Sequence, residues 1–206
     1  MDGTLSDFVS DDSANASKWD TSCVKKLDGT FVRATEFNGN LDDWDTSRAT
    51  TMKNMFYKAT EFNGNVEAWD VSSATILEET FRDLSKFNGN VEAWDVSRVT
   101  SMFKTFNQAT TFNGNLNGWD VSSAASLKYT FREAPEFNGI LNEWDTSKVI
   151  FMSGTFEDAS EFNGDVESWD IASVTDMSNI FHVCQHVHQS PYYTPDGRVL
   201  HRAPPA

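Results

Sequence analysis

The chain has 206 residues, enough for a sizeable core, and carries 31 Asp and Glu against 16 Lys and Arg, a formal net charge of −15. This balance disfavours binding to nucleic acid, whose phosphates need cationic contacts. It also disfavours binding to an anionic membrane surface. No apolar run approaches the roughly 18 residues of a membrane span, so direct membrane insertion is not expected. Cys23 and Cys184 lie near opposite ends of the sequence and do not indicate a disulfide framework.

A 25-residue repeat organises most of the chain. A period of 20 to 50 residues is typical of solenoids and arrays, because one unit cannot bury its apolar face alone and stacked neighbours can. Thirteen of the 16 phenylalanines also keep this period, and the exceptions are Phe8, Phe103 and Phe151. The seven tryptophans, each 25 residues after the last, are Trp19, Trp44, Trp69, Trp94, Trp119, Trp144 and Trp169.

The repeat sets the predicted domain boundaries. We predict an N-terminal cap or extension over residues 1–16, the repeats over residues 17–186 and a C-terminal tail over residues 187–206. The acidic, polar start of the chain fits neither a secretory signal nor an Arg-rich transit peptide.

Each repeat begins with a segment that favours a short strand. In Leu41-x-x-Trp44-x-Thr46, Trp44 and Thr46 share one face if side chains alternate. Phe62-Asn63-Gly64 then marks the corner before the next strand, where glycine suits a left-handed or tight turn.

The second half of each repeat favours a short helix. Met52, Phe56 and Ala59 fall at i, i+4 and i+7, which is one helical stripe. Thr75 stands where an N-cap belongs, and with Glu78 it fits a capping box. The predicted fold is therefore a repeat solenoid of about seven units, each a short parallel strand plus a short helix, with strands stacked at about 4.8 Å and columns of Trp and Phe inside.

The unit W-D-x-S-x-V-T-x-M-x-x-x-F-x-x-A-x-x-F-N, best seen in WDVSRVTSMFKTFNQATTFN from Trp94 to Asn113, resembles the BspA-type leucine-rich repeats of bacterial surface proteins, mycoplasma lipoproteins and protist proteins. The resemblance implies a right-handed, leucine-rich-repeat-like coil used for adhesion or protein–protein contact. It also implies a cell-surface or secreted location, although the chain shows no lipobox cysteine near its start. The last repeat departs from the pattern at Ala172 and Cys184.

An aspartate follows every tryptophan and should form an exposed column. Repulsion between neighbours about 4.8 Å apart must be offset. The favoured explanation is an Asx-type turn in D-x-S, in which each carboxylate accepts backbone N–H groups. Bound cations or a basic partner are the alternatives. The candidates for partner binding are Asp45, Asp70, Asp95, Asp120 and Asp145.

The asparagines of F-N-G form a second column, which we interpret as a hydrogen-bond ladder that closes the corners. Other positions vary between repeats, and packing does not explain their residues. Ile76, Phe103 and Phe151 stand where other repeats carry polar groups. They are candidates for an apolar contact surface, although single exposed apolar residues are also ordinary.

The segment HVCQHVH groups His182, Cys184, His186 and His188. These residue types can bind zinc, but the spacing matches no established motif. A cap over the apolar end of the last repeat is the preferred interpretation.

No nucleophile elbow, phosphate loop or metalloprotease motif is present in the sequence. We therefore expect no enzymatic activity and no cofactor. The expected function is a protein–protein interaction module of the surface or adhesion type, whose partner has a basic surface. A structural linker or scaffold subunit of a larger assembly is the alternative, and a cation-binding repeat protein is a more distant one.

Overall fold

The structure, a computed structural model, describes residues 13–184, and each 25-residue repeat within this range forms one layer of a stack. Positions are counted here from the tryptophan of each layer, so that Trp19 belongs to layer 1 and Trp169 to layer 7. The termini predicted as an extension and as a tail lie largely outside the described residues. Residues 13–184 contain no helical segment with the length and hydrophobicity of a transmembrane span.

The predicted strand-plus-helix solenoid is wrong. Parallel β-pairing is reduced to a single residue per layer at position +7, for example Thr51 with Ile76. The segment predicted as a strand is a turn instead, in which the Trp44 N–H donates to the Leu41 carbonyl at 3.1 Å. The bridged residues are Lys26, Thr51, Ile76, Ser101, Ser126, Phe151 and Asp176.

The segment predicted as a helix is a run of turns tied to the next layer. The N–H groups of Asn54 and Phe56 donate to the carbonyls of Glu78 and Thr80, at 2.9 and 3.0 Å. The N–H of Met55 between them donates within its own layer, to the Met52 carbonyl at 3.1 Å. Alternate N–H groups thus leave the layer, so the i to i−4 bonds of an α-helix cannot form.

Positive φ angles at two positions of each layer explain why alternate N–H groups leave the layer. Positions +10 and +14 have φ values near +60° in layer after layer, as at Lys104 (56°) and Gln108 (59°). Both N–H groups donate to the next layer, to Lys128 and Arg132. Only Gly29 and Gly154 supply glycine at these positions, so most layers hold a non-glycine residue in a conformation that usually costs energy.

The threonines predicted as N-caps bind the preceding layer. Thr75 donates both its N–H and its hydroxyl to the Thr50 carbonyl, at 2.9 and 3.2 Å. Glu78, the supposed partner in a capping box, instead accepts from Lys53 and Ser101. The column at position +6 is therefore an inter-layer ladder.

Stacked aromatic columns fill the interior, as predicted. Phe81 is fully buried and stacks on Phe56 and Phe106 in the adjacent layers, with centroids 5.9 and 5.3 Å away. Within its own layer it stacks on Phe87 at 4.4 Å. Offset stacking of this kind makes each layer's core incomplete without its neighbours.

Two further details differ from prediction. Gly64 does not have a positive φ; a Cβ there would lie 2.7 Å from the Phe62 ring, so the corner glycine makes room for the aromatic column. At the N-terminal end of the described residues, the 3-10 helix Ser13–Lys18, part of which was predicted to be an extension, already belongs to the stack. Its Ala16 is buried, and the Ala16 carbonyl accepts the indole N–H of Trp44 at 2.9 Å.

Candidate functional site

The aspartate column lies on the surface and forms Asx turns. Asp70 Oδ1 accepts the Ser72 N–H at 2.9 Å and the Ser72 hydroxyl at 2.6 Å. The same N–H bond recurs from Asp20 to Asp170, and Ala172 provides it in the last layer. The preferred prediction for this column is therefore confirmed: each carboxylate stabilises its own turn.

These bonds also lower the pKa of four aspartates in the column, Asp20, Asp45, Asp95 and Asp145. The Ser47 hydroxyl, followed by the Ser47 N–H, holds the pKa of Asp45 below its ordinary value. In Asp145 the N–H of Ser147 has the larger effect and its hydroxyl the smaller. Hydrogen bonds to the ionised form favour the charged state of these two carboxylates.

The asparagines of F-N-G form the predicted ladder. Asn63 Oδ1 accepts the N–H of Asn88, and Asn88 Oδ1 accepts the N–H of Asn113, both at 2.9 Å. Each side chain thus satisfies a backbone group of the next layer.

A second asparagine column lies two residues further on and was not singled out from the sequence. Asn90 Oδ1 accepts the Glu92 N–H at 3.0 Å, while its Nδ2 donates to Glu67 of the preceding layer at 2.9 Å. Ile140 interrupts this column and is 62% exposed. We call the Asp, Asn and Thr columns together the ladder surfaces.

One surface has no repeating ladder. It consists of the side chains at positions +7, +9, +10, +13 and +14, which in layers 1 to 6 are separated along the chain by buried residues at positions +8, +11 and +12. We call it the variable face, because its residue types change from layer to layer. The side chains here bond mainly to one another, as in the ion pairs Lys53–Glu78 at 2.7 Å and Arg82–Glu79 at 2.9 Å.

The variable face is balanced in charge. Eight of the 16 basic residues and eight of the 31 acidic residues occupy these five positions across the seven layers. The whole net charge of −15 therefore belongs to the rest of the chain. The basic residues are Lys26, Arg33, Lys53, Lys58, Arg82, Lys104, Lys128 and Arg132, and the acidic ones are Asp28, Glu78, Glu79, Asp83, Glu133, Glu157, Asp158 and Asp176.

The centre of the variable face is an aromatic and basic cluster. Phe103 is half-buried and lies 6.3 Å from the ring of Tyr129. Lys104 Nζ lies 4.9 Å from the Phe103 centroid, and Lys128 Nζ lies 5.0 Å from the Tyr129 centroid. Within the described residues, neither ammonium group forms an ion pair with a carboxylate, so the rings are their principal partners. Tyr129 itself lies over Gly154, where a Cβ would collide with its ring.

The other apolar candidates occupy the same face. Phe151 is 45% exposed, and Ile76 is half-buried in the same +7 column. Ile150, 38% exposed, stands next to Phe151 where most layers have a threonine. Ile140, Ile150 and Tyr129 were not predicted from the sequence. Ile140 and Ile150 each depart from a repeated Asn or Thr column, and that departure was the available signal. Tyr129 lies in the variable +10 column, where no repeated residue marks it.

The acidic candidates lie outside this face. Asp45, Asp70, Asp95, Asp120 and Asp145 occupy position +1, in the Asx turns. Ile76, Phe103 and Phe151 occupy positions +7 and +9. The structure therefore brings the apolar candidates to one surface and the acidic candidates to another.

The histidine and cysteine candidates separate. Cys184 is buried, its thiol donates to the Phe156 carbonyl at 2.9 Å, and burial raises its pKa to about 12. His182 is exposed and lies 3.8 Å from Asp158, measured from Nδ1 to Oδ1. His186 and His188 lie outside the described residues. A zinc site that uses Cys184 therefore has no geometric support.

Stacked layers, internal ladders and a single changing face define the class: a repeat protein in which each unit completes the core of its neighbour. Within that class, the chain belongs to the family described as Mycoplasma protein of unknown function, DUF285, which matches residues 3–117 and 75–193. No curated protein and no solved structure matches the chain.

Proposed function

We propose that the protein is a non-enzymatic module that binds another protein through the variable face. The observation that carries this proposal is that the ladder surfaces and the variable face use their side chains for different purposes. The ladder surfaces use their side chains to hold turns and layers together. On the variable face the backbone N–H groups at positions +10 and +14 bond directly to the next layer, so most side chains there are not needed to hold the layers together.

The aromatic and basic cluster is the proposed centre of the contact. Aromatic residues and arginine dominate the binding energy of protein interfaces. Phe103 and Tyr129 present half-buried rings beside three cations, and Arg132 lies 5.7 Å from the Tyr129 centroid. Packing on both sides limits the side-chain entropy that these rings lose on binding. Phe151, one layer beyond Tyr129, extends the apolar area.

A basic surface on the partner is part of the proposal. The net charge of −15 lies outside the variable face, in a field that would attract a basic protein over distance. Complementary charge mainly raises the association rate, while buried anchors set the dissociation rate. The acidic surroundings would therefore guide the partner, and the variable face would discriminate among partners.

The setting that we propose is adhesion or contact at a cell surface, in keeping with the resemblance to BspA-type repeat proteins. A structural linker is the second candidate. The observation that favours it is the last layer, where Val183 is 52% exposed and Ile171, Val174 and Met177 are only half-buried. An apolar end of this kind could join a neighbouring subunit.

The test begins with purification of partners from native extract and their identification by mass spectrometry. The affinity of each candidate is then measured against the parent chain and the variant Phe103→Ser/Phe151→Ser. We expect each substitution to weaken binding by at least about 1 kcal/mol, and added salt to slow association more than it speeds dissociation.

Ile140→Ser is the matched control, because Ile140 is exposed and apolar but lies outside the variable face. Circular dichroism checks that each variant is folded. If the Phe103→Ser/Phe151→Ser variant folds and keeps its affinity for every partner, the variable face is not the interface. If Ile140→Ser abolishes binding instead, the contact lies on the ladder surfaces.

A further inference from the structure

Layers 6 and 7 bring three potential metal ligands together at the C-terminal end of the variable face. Glu157 and Asp158 occupy positions +13 and +14 of layer 6, and His182 occupies position +13 of layer 7. One ligand atom from each side chain lies within 4.8 Å of the other two. We propose that Glu157, Asp158 and His182 bind a divalent metal ion, with zinc as the best fit.

The distances suit an ion between the side chains better than a direct contact. His182 Nδ1 and Asp158 Oδ1 are 3.8 Å apart, too far for a hydrogen bond. Two ligands that each lie about 2.0 to 2.1 Å from a tetrahedral zinc ion are about 3.4 Å from each other. Small side-chain rotations would bring all three ligand atoms to that separation.

The backbone holds the two layers in register at this point. Asp158 has a φ of 60°, and its N–H donates to the His182 carbonyl at 2.8 Å. Glu157 is held by Arg132, whose Nε lies 3.0 Å from Oε2. Such an outer partner fixes the orientation of a carboxylate that still has a second oxygen for a metal.

Neighbouring layers show why Asp158 is unusual. At the same position, Asp83 lies 3.8 Å from Lys58 and 3.7 Å from Arg82. Glu133 pairs with Arg132 at 2.6 Å. Among the described residues, the ion-pair partner of Asp158 is His182, which carries charge only when protonated. A divalent ion would compensate both carboxylates of layer 6 at once.

The donor set selects the type of metal. Two carboxylates and one imidazole are ligands that zinc accepts, and three protein ligands leave a position for water. Calcium, which takes six to eight oxygen ligands, fits this set less well. Cys184 is excluded as a ligand because its thiol is buried and bonded to the Phe156 carbonyl. The proposal of a metal site does not depend on the proposal that the variable face binds a protein.

The test is calorimetric titration of the chelator-treated full chain with zinc chloride. We expect one equivalent to bind, and His182→Ala or Asp158→Asn to weaken binding by at least tenfold. Asp170→Asn serves as the carboxylate control, since Asp170 lies in layer 7 with His182 but outside the cluster. His186→Ala/His188→Ala separates the cluster from the two other histidines of the HVCQHVH segment. Both control variants should bind zinc like the parent.

Cobalt provides a second measurement. With cobalt in place of zinc, the absorption spectrum should lack the charge-transfer band that a thiolate ligand produces. The proposal is overturned if the parent chain binds no zinc, or if His186→Ala/His188→Ala abolishes binding while His182→Ala preserves it. A thiolate band would also overturn it, because Cys23 or Cys184 would then be a ligand.

Discussion

The ladder surfaces and the variable face share the same stacked backbone but use their side chains in opposite ways. In the Asp and Asn ladders, a side-chain oxygen accepts a backbone N–H, as Asn88 does from Asn113 at 2.9 Å. Any residue without that oxygen leaves a backbone group in need of another partner. On the variable face the N–H groups at positions +10 and +14 bond directly to backbone carbonyls of the next layer, as between Lys104 and Lys128 at 3.0 Å. Repetition is therefore required on one surface and unnecessary on the other.

Exceptions within the ladders show how far this rule extends. Ile150 replaces threonine at position +6, yet its N–H still donates to the Ala125 carbonyl at 2.8 Å. The threonine hydroxyl adds only a second bond to a carbonyl that is already occupied. This ladder can therefore lose a member at lower cost than the Asn ladder, whose side chains are themselves the acceptors.

The largest expected effect comes from the core beneath both surfaces. Trp94 is 3% exposed, lies 6.2 Å from Trp69 and 6.4 Å from Trp119, and donates its indole N–H to the Val66 carbonyl. Trp94→Ala should lower the free energy of unfolding by about 3 to 5 kcal/mol, measured by chemical denaturation. Phe103→Ala on the variable face should cost less, and equal losses would contradict the division between core and face.

A smaller effect tests the backbone of the variable face. Arg33 has a φ of 59° and an exposed side chain. Arg33→Val should destabilise the chain by about 1 to 2 kcal/mol, because a β-branched residue tolerates this conformation poorly. Arg33→Gly should cost little or nothing. Arg48→Val, at an exposed position outside the set with positive φ, controls for the loss of charge. Similar stabilities for Arg33→Val and Arg33→Gly would show that the conformation is not maintained in solution.

Removal of one ladder amide should have an effect of about 0.5 to 1.5 kcal/mol. Asn88→Ala deletes the acceptor of the Asn113 N–H while leaving the backbone of layer 3 unchanged. Lys128→Ala, on the variable face, provides the comparison and should be closer to neutral, because the lysine donates no ladder bond. A larger loss from Lys128→Ala than from Asn88→Ala would reverse the roles assigned to the two surfaces.

The smallest effect concerns pH. The Ser97 hydroxyl, followed by its N–H, lowers the pKa of Asp95 in the folded chain. A lowered carboxyl pKa contributes stability that is present above the unfolded value, about 3.9, and is lost as the pH falls through the folded value. Asp95→Asn should therefore lose less stability than the parent between pH 6 and pH 3, measured by denaturation at both values. Parallel loss in the two chains would show that the turn gains nothing from ionisation.

Much of the architecture could be predicted from the sequence, because each tryptophan lies 25 residues after the one before it. A period shared by every tryptophan requires stacked units, and buried rings such as Phe56 and Phe81 follow from it. The Asx turns and the Asn ladder were also predictable, since D-x-S and F-N-G place short polar side chains within reach of nearby backbone groups.

Only the tertiary structure decided the local conformation. Met52, Phe56 and Ala59 have helical spacing, but successive i to i−3 turns produce it, as in the bond from the Ala59 N–H to the Phe56 carbonyl at 2.8 Å. The N–H groups of this segment find carbonyls 24 residues ahead, and a partner at that distance is invisible to local propensity. Positive φ at residues such as Lys104 carries no glycine signal, because inter-layer hydrogen bonds stabilise it. The cluster of Glu157, Asp158 and His182 likewise exists only because consecutive layers place residues 25 apart side by side.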